Sequence, residues 1–199
     1  VLQSLSRPEP EMRTTRIQAR RGERRDRIIA CATELAVLGY DACQIRSVTA
    51  AAGVSAGTVY QYFPSKDELL LACFYEWLWD FETEYVCVTD EPDPFRRLLR
   101  VALTLTDRLC SSSLFAEAMI RPYLYADGTA ATQADRVRQQ VVRIFVGSAS
   151  EGESPTREIG AAEILSDVWM SNVAAFAQRR IAAAELSERL TRTVGLLKR

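Results

Sequence analysis

Histidine is missing from all 199 residues of the chain, and that one absence removes imidazole acid–base catalysis, histidine triads and the commonest zinc sites. Cysteine pairs of the CxxC kind are missing too. The five cysteines, at positions 31, 43, 73, 87 and 110, are odd in number and widely spaced, which fits free thiols in a reducing compartment better than a disulfide framework. No long uncharged apolar run occurs, because "LLLACFY" (69–75) meets Glu76 at once, so no membrane span is expected. The opening "VLQSLSRPEPEMRTTRIQARR" lacks the apolar stretch of a secretory signal, and the expectation is a cytoplasmic protein. Neither a paired-carboxylate motif nor a nucleophile–base motif stands out, and no metal or cofactor is expected. Runs of β alternation, hairpin turns and internal repeats are lacking as well.

What is present is an uneven charge. The net value is −1, yet residues 1–66 hold ten Lys/Arg against six Asp/Glu, and residues 67–199 hold fifteen against twenty. Seven arginines fall between Arg13 and Arg27. A basic first third on a mildly acidic remainder suggests an anion-binding module joined to something else. Hydrophobic residues at 48% and charged residues at 26% leave enough apolar side chains for a sizeable core.

The apolar spacing is helical almost throughout. Residues 1 to about 20 are polar and aperiodic and read as a disordered, arginine-containing arm. "RRDRIIACATELAVLGY" places Ile28, Cys31, Ala32 and Leu35 on one face and stops at Gly39. "IRSVTAAAG" is a short second helix ending at Gly53, and "SAGTVYQYF" a third with Ser55 as its cap. A long fourth helix is expected at 66–87, where Ser65 and Glu68 form an S-x-x-E capping box and Leu70, Phe74, Trp77 and Phe81 recur at helical spacing. A fifth helix carries Phe95, Leu98, Ala102, Leu105 and Leu109. A shorter one ends near Pro122, another runs from about Thr129, and two more lie at roughly 156–179 and 183–198. The fold class is all-α, about nine helices.

Residues 44 to 63 carry the chemistry. Gly53 permits a sharp turn between two short helices, and Val48, Val54, Val59 and Phe63 can pack the pair onto the first helix. The opposite face of the third helix then shows Ser55, Thr58 and Tyr62, with Gly57 and Gln61 beside them. That face is slim, polar and uncharged, as insertion into a DNA major groove requires: small residues allow close approach, and hydroxyls or amides meet base edges.

The stretch "AAGVSAGTVYQYFPSKDELL" (51–70), preceded by "GYDA" (39–42), resembles the helix-turn-helix signature of the tetracycline-repressor (TetR-type) family of one-component transcriptional regulators. The resemblance extends by motif from about Arg24 to Leu70. It implies a DNA-binding unit at 21–65 and an effector-binding and dimerisation domain at 66–199. By the same resemblance, Tyr60 and Lys66 match positions that contact phosphates, Ser55, Ala56, Gly57, Thr58, Gln61 and Tyr62 line the recognition surface, and Arg46 matches a position that reaches DNA. Phosphate contacts would set the register, while Thr58 and Gln61 would read bases. The chain departs from the family pattern at Gln44, where Thr is usual; Gln is the poorer cap. It departs again at Val37 and Leu38, where charged residues are common.

The remaining helices carry two further sets of candidates. In the helix at 156–179, Ala162, Leu165, Trp169, Asn172 and Phe176 form one stripe; Ala161, Ile164, Val168, Ser171 and Ala175 form a second beside it. Two adjoining apolar stripes need two packing partners, the domain itself and a second subunit. The homodimer interface is therefore expected at Ile164, Val168, Ser171 and Ala175, with Leu186, Leu190, Val194 and Leu197 of the last helix. A pocket for a small apolar or aromatic effector is expected among Phe74, Trp77, Phe81, Phe115, Met119, Tyr123, Trp169, Asn172 and Phe176. The amide of Asn172, set in an apolar stripe, must find a partner. The resulting expectation is a ligand-responsive repressor that binds a near-palindromic operator in double-stranded DNA. Its rivals are a thiol-based regulator using Cys43 and a helical enzyme without DNA binding.

Overall fold

The computed structural model describes residues 10–85, 91–149 and 156–198, and within them the regular structure is helical. Helix α1 spans Pro10–Ala36 and is followed by a 3-10 turn, Tyr40–Ala42; α2 is Ile45–Ala52, α3 Ala56–Tyr62 and α4 Lys66–Tyr85. Then come α5 (Pro94–Cys110), α6 (Ser113–Leu124), α7 (Gly128–Ala149), α8 (Thr156–Ala177) and α9 (Ala183–Leu197). Among the described residues no helix is long and apolar enough to cross a membrane.

One expectation about the start of the chain is corrected. Residues 10–20, read as a structureless arm, belong to α1. The segment contains Met12, Arg13, Gln18, Ala19 and Arg20, all good helix formers, behind a proline at the first helical position. Propensity sustains that helix without an apolar stripe, and a stripe is what periodicity detects. The rest of the expected arm, residues 1–9, lies outside the described residues, as do residues 86 and 87 at the expected end of the fourth helix.

The first three helices fold as the turn chemistry dictates. Gly53 closes α2 in the left-handed conformation, with φ 64°, and its N–H reaches the Thr49 carbonyl. Gln44 supplies no side-chain cap to α2; its amide donates instead to the Asp41 carbonyl at 3.2 Å. Val48 and Val59 are completely buried and Phe63 nearly so, in one core cluster with Ile28 and Ala32 of α1, and α2 packs on both α1 and α3. A β-carbon added at Gly53 would meet nothing within 4 Å, so only backbone strain opposes one there. Gly53→Ala is expected to cost about 1 kcal/mol, a fall of about 2–4 °C in Tm on a thermal melt. Gly53→Asn, which tolerates positive φ, should cost less.

Helix α4 joins this unit to the rest. Ser65 accepts the Glu68 N–H at 3.1 Å, as a capping box requires, but Glu68 does not reach back. Its carboxylate accepts from Thr129 of α7 at 2.9 Å, so the box is half made. Leu69 through Phe74 are buried, and Arg25 of α1 pairs with Glu76 at 3.0 Å. Beyond that point α4 lies against α6 and α7, α7 against α8, and α9 against α5 and α8. Helix α6 ends at Leu124, near Pro122 as expected. Burial of Met119, Ile120 and Pro122 holds that last turn although Pro122 offers no N–H.

Candidate nucleic-acid interface and the helical body behind it

Helix α3 is seven residues long and owes its start to Ser55, whose Oγ accepts the Thr58 N–H at 3.1 Å and lies 2.9 Å from the Thr58 hydroxyl. Val59 and Phe63 face the core. The outward surface consists of Ser55, Ala56, Gly57, Tyr60 and Gln61, with Thr58 and Tyr62 half-buried at its edges. Tyr60 is 51% exposed. A β-carbon at Gly57 would touch only the Ser55 Oγ, at 3.9 Å, so nothing inside the protein demands a glycine there. Arg46 is exposed on α2, on the far side of the turn. Of the sequence-derived set, Ser55 to Tyr62 thus share one uncharged stretch at α3, with Arg46 on α2 and Lys66 on α4.

Lys66 sits at the first turn of α4, half-buried. Its Nζ lies 3.4 Å from the centroid of the Tyr40 ring, and burial pulls its pKa below the usual lysine value. Tyr40 donates its hydroxyl to Asp67 Oδ1 at 2.6 Å. Burial, reinforced by that bond, pushes the phenol up to about 12. Arg121, from α6, lies 4.2 Å from the same ring centroid. Sequence reasoning missed Tyr40, Asp67 and Arg121 altogether. They are brought together by tertiary packing, and no spacing along the chain announces them.

The effector candidates divide into separate packed groups. Phe74, Trp77, Phe81 and Phe115 form one aromatic cluster, with Trp77 5.9 Å from Phe115, 6.2 Å from Phe74 and 6.4 Å from Phe81. Trp169 belongs to another: it meets Phe145 edge-on at 6.2 Å and donates its indole N–H to Thr106 at 2.9 Å. Met119 is fully buried and Tyr123 half-buried on α6. Asn172 does find the partner its position requires, but that partner is Arg189 of α9, at 2.9 Å, and its own amide donates to the Val168 carbonyl. It therefore belongs to the α8–α9 contact. Phe176 borders a surface cleft of about 600 Å³ with Arg179, Arg180 and Ser113, and Trp77 one of about 280 Å³ between α1 and α4. Trp77 and Phe176 thus border different clefts.

Part of the expected subunit surface is covered within the protomer. Leu186, Leu190 and Val194 are sealed inside the protomer, where α9 lies on α5 and α8, and Ala175 is buried too. An apolar stripe seeks cover, and here the same chain supplies it. Ile164, 51% exposed, stands on the outer face of α8 with exposed Ser171 and half-buried Val168. Leu197 is half-buried, and its neighbour Leu196 is exposed.

The thiol alternative is not supported. Cys43 is completely buried, its Sγ donates to the Ala32 carbonyl at 3.5 Å, and burial raises its pKa; such a thiol is poorly ionised and out of an oxidant's reach.

Comparison with known proteins agrees with the helix-turn-helix reading. Residues 28–73 match the model of bacterial regulatory proteins of the tetR family, and residues 92–197 match the tetracyclin repressor-like C-terminal domain. The chain is 35% identical over 178 residues to the HTH-type transcriptional repressor KstR of Rhodococcus jostii (strain RHA1), covering 88% of this chain and 82% of that one. It is 36% identical over 178 residues to KstR of Mycobacterium tuberculosis, covering 88% and 80%. A TetR transcriptional regulator from Rhodococcus sp. RHA1 superposes with a TM-score of 0.77 at 23% identity, over 90% of this chain and 97% of that one. Thermus thermophilus FadR, solved with lauroyl-CoA, gives 0.69 at 19% identity, over 87% and 92%. With its capped third helix and helical body, the chain belongs to the tetR family of bacterial regulatory proteins.

Proposed function

We propose that the protein acts as a homodimer that sets two copies of α3 in successive major grooves of a near-palindromic operator, about 34–36 Å apart. One observation carries this reading. The exposed strip of α3 is uncharged and narrow, with a glycine at position 57 that the protein's own packing does not require, and the helices on either side of it in the chain carry the basic groups Arg46 and Lys66 in their first turns. Gly57 lets the backbone approach the groove floor, Thr58 and Gln61 read base edges, and Tyr60 and Lys66 hold phosphates. The arginine-bearing start of α1 adds sequence-independent attraction.

Release follows from an effector that prefers a dimer whose two α3 helices no longer fit the operator spacing. The body is rich in buried aromatics, which supports an effector with a large apolar part. The lauroyl-CoA with which the Thermus thermophilus FadR structure was solved supports the same reading, since that molecule carries a long apolar chain.

The test is a set of anisotropy titrations with a duplex that the protein itself has selected from a random pool. Tyr60→Phe combined with Lys66→Ala is expected to weaken binding to every sequence and to lower the slope of log K against log salt by about one, through the loss of the Lys66 cation. Thr58→Ala or Gln61→Ala should cost about 1–3 kcal/mol on the selected duplex and relax the preference at the base pairs they face. Uniform losses from all four substitutions would remove the assignment of base readers.

A further inference from the structure

Lys66 is placed by a tyrosine and not by a carboxylate. Among the described residues it has no ion pair; its ammonium rests on the ring of Tyr40 at 3.4 Å. Tyr40 is itself fixed in two ways. Its hydroxyl is tied to Asp67 at 2.6 Å, one residue beyond the lysine, and its ring takes the guanidinium of Arg121 at 4.2 Å. These residues come from three parts of the chain: the 3-10 turn of the DNA-binding unit, the first turn of α4 and the last turn of α6. Arg121 also stands 4.0 Å from Glu117, one turn back on α6. The joint is not packed solid, since a cleft of about 490 Å³ opens beside Tyr40, Asp67, Arg121, Leu124 and Tyr125.

The physical consequence is a cation held without being neutralised. A ring face orients an ammonium while leaving it charged and able to donate to an oxygen anion, whereas a carboxylate at that distance would compete with the phosphate. Two cations on one ring also repel each other, so the position of Arg121 biases that of Lys66. We propose that Tyr40 is the positioning residue for Lys66, and that Arg121 is the contact through which α6 sets the hold of the protein on the DNA backbone. This rests on the assignment of Lys66 to a phosphate made above.

The experiment uses the full chain, the same selected duplex and an unrelated duplex, over a salt series. Tyr40→Leu is expected to weaken binding to both duplexes about tenfold and to lower the salt slope by about one, as Lys66→Ala does. Tyr40→Leu with Lys66→Ala should be no weaker than Lys66→Ala alone. Tyr40→Phe keeps the ring and should keep the slope. Arg121→Met should weaken binding about threefold in the native background, the scale of one exposed cation–ring contact, and should have no effect in the Tyr40→Leu background. A direct readout avoids DNA altogether: in the native chain and in Tyr40→Phe the ε-methylene protons of Lys66 are shifted upfield by the ring current, and in Tyr40→Leu they return to the ordinary lysine position. Additive losses in the double variant, or an Arg121→Met effect that persists without the Tyr40 ring, would overturn the proposal. So would unshifted ε protons in the native chain. If Lys66→Ala itself leaves the slope unchanged while the ε protons are shifted, the phosphate assignment fails and the stack is merely structural.

Discussion

Ile164→Asp is expected to produce a chain that sediments as a monomer at micromolar concentration and binds its selected duplex about a thousandfold more weakly, the scale that separates specific from non-specific DNA binding. The prediction rests on the face of α8 that its own chain leaves open. Leu165, Trp169 and Val173 point inward and are completely buried, whereas Ile164 is 51% exposed and shares its face with Val168 and Ser171. In a two-fold dimer each substitution appears twice, and two carboxylates brought to the axis in a dry contact repel while losing their water. One recognition helix alone spans a single half-site, so losing the dimer loses the second set of contacts together with the effective concentration that links them. Because Ile164 is already exposed in the protomer, the variant should fold as the native chain does, with an unchanged thermal melt below the dissociation concentration. Leu186→Ala provides the contrast. That side chain lies inside the protomer, so its truncation should lower stability by about 2–5 kcal/mol without shifting the sedimentation equilibrium. A dimer that survives Ile164→Asp would place the contact elsewhere.

Trp169→Ala carries the largest expected loss of stability, about 3–5 kcal/mol. Trp169 is completely buried, its ring is edge-on to Phe145, and its N–H is taken by Thr106. No neighbour is free to fill the space, since Phe145, Thr106 and Leu165 are themselves fully enclosed. Against a total of about 5–15 kcal/mol for a folded domain, the loss should appear as a fall of about 10 °C or more in Tm, with a matching decrease in urea midpoint. Trp169→Phe separates area from hydrogen bonding. The Thr106 hydroxyl still donates to the Ala102 carbonyl, so losing the indole leaves no orphaned proton, and the cost should be about 1–2 kcal/mol. Were Trp169 the wall of a preformed effector cavity, its truncation would enlarge a space already present and cost far less. The urea curve therefore also decides whether this part of the body is core.

The helix-turn-helix unit was legible because its signals are local. Ser55 caps α3, Gly53 turns after α2, and Val48, Val59 and Phe63 face inward at the spacing that a short helix imposes. A cap, a positive φ and a three-to-four residue repeat each involve neighbours in sequence, so they can be read without knowing where the rest of the chain lies. The same reasoning failed at the start of the chain, where it gave no helix to residues 10–20 because propensity acts there without periodicity.

By itself the sequence determined the helical class, the exposed uncharged strip from Ser55 to Tyr62 and the apolar stripes of α8 and α9. Only the tertiary structure decided what covers those stripes: Leu186, Leu190 and Val194 are buried by their own chain, and Ile164 is left outside. It alone joined Asn172 to Arg189 and set Lys66 and Arg121 on the ring of Tyr40. The reason is geometric. Periodicity states which side of a helix must leave water, but the partner on that side depends on how helices far apart in the chain cross and dock, and no residue repeat records those angles.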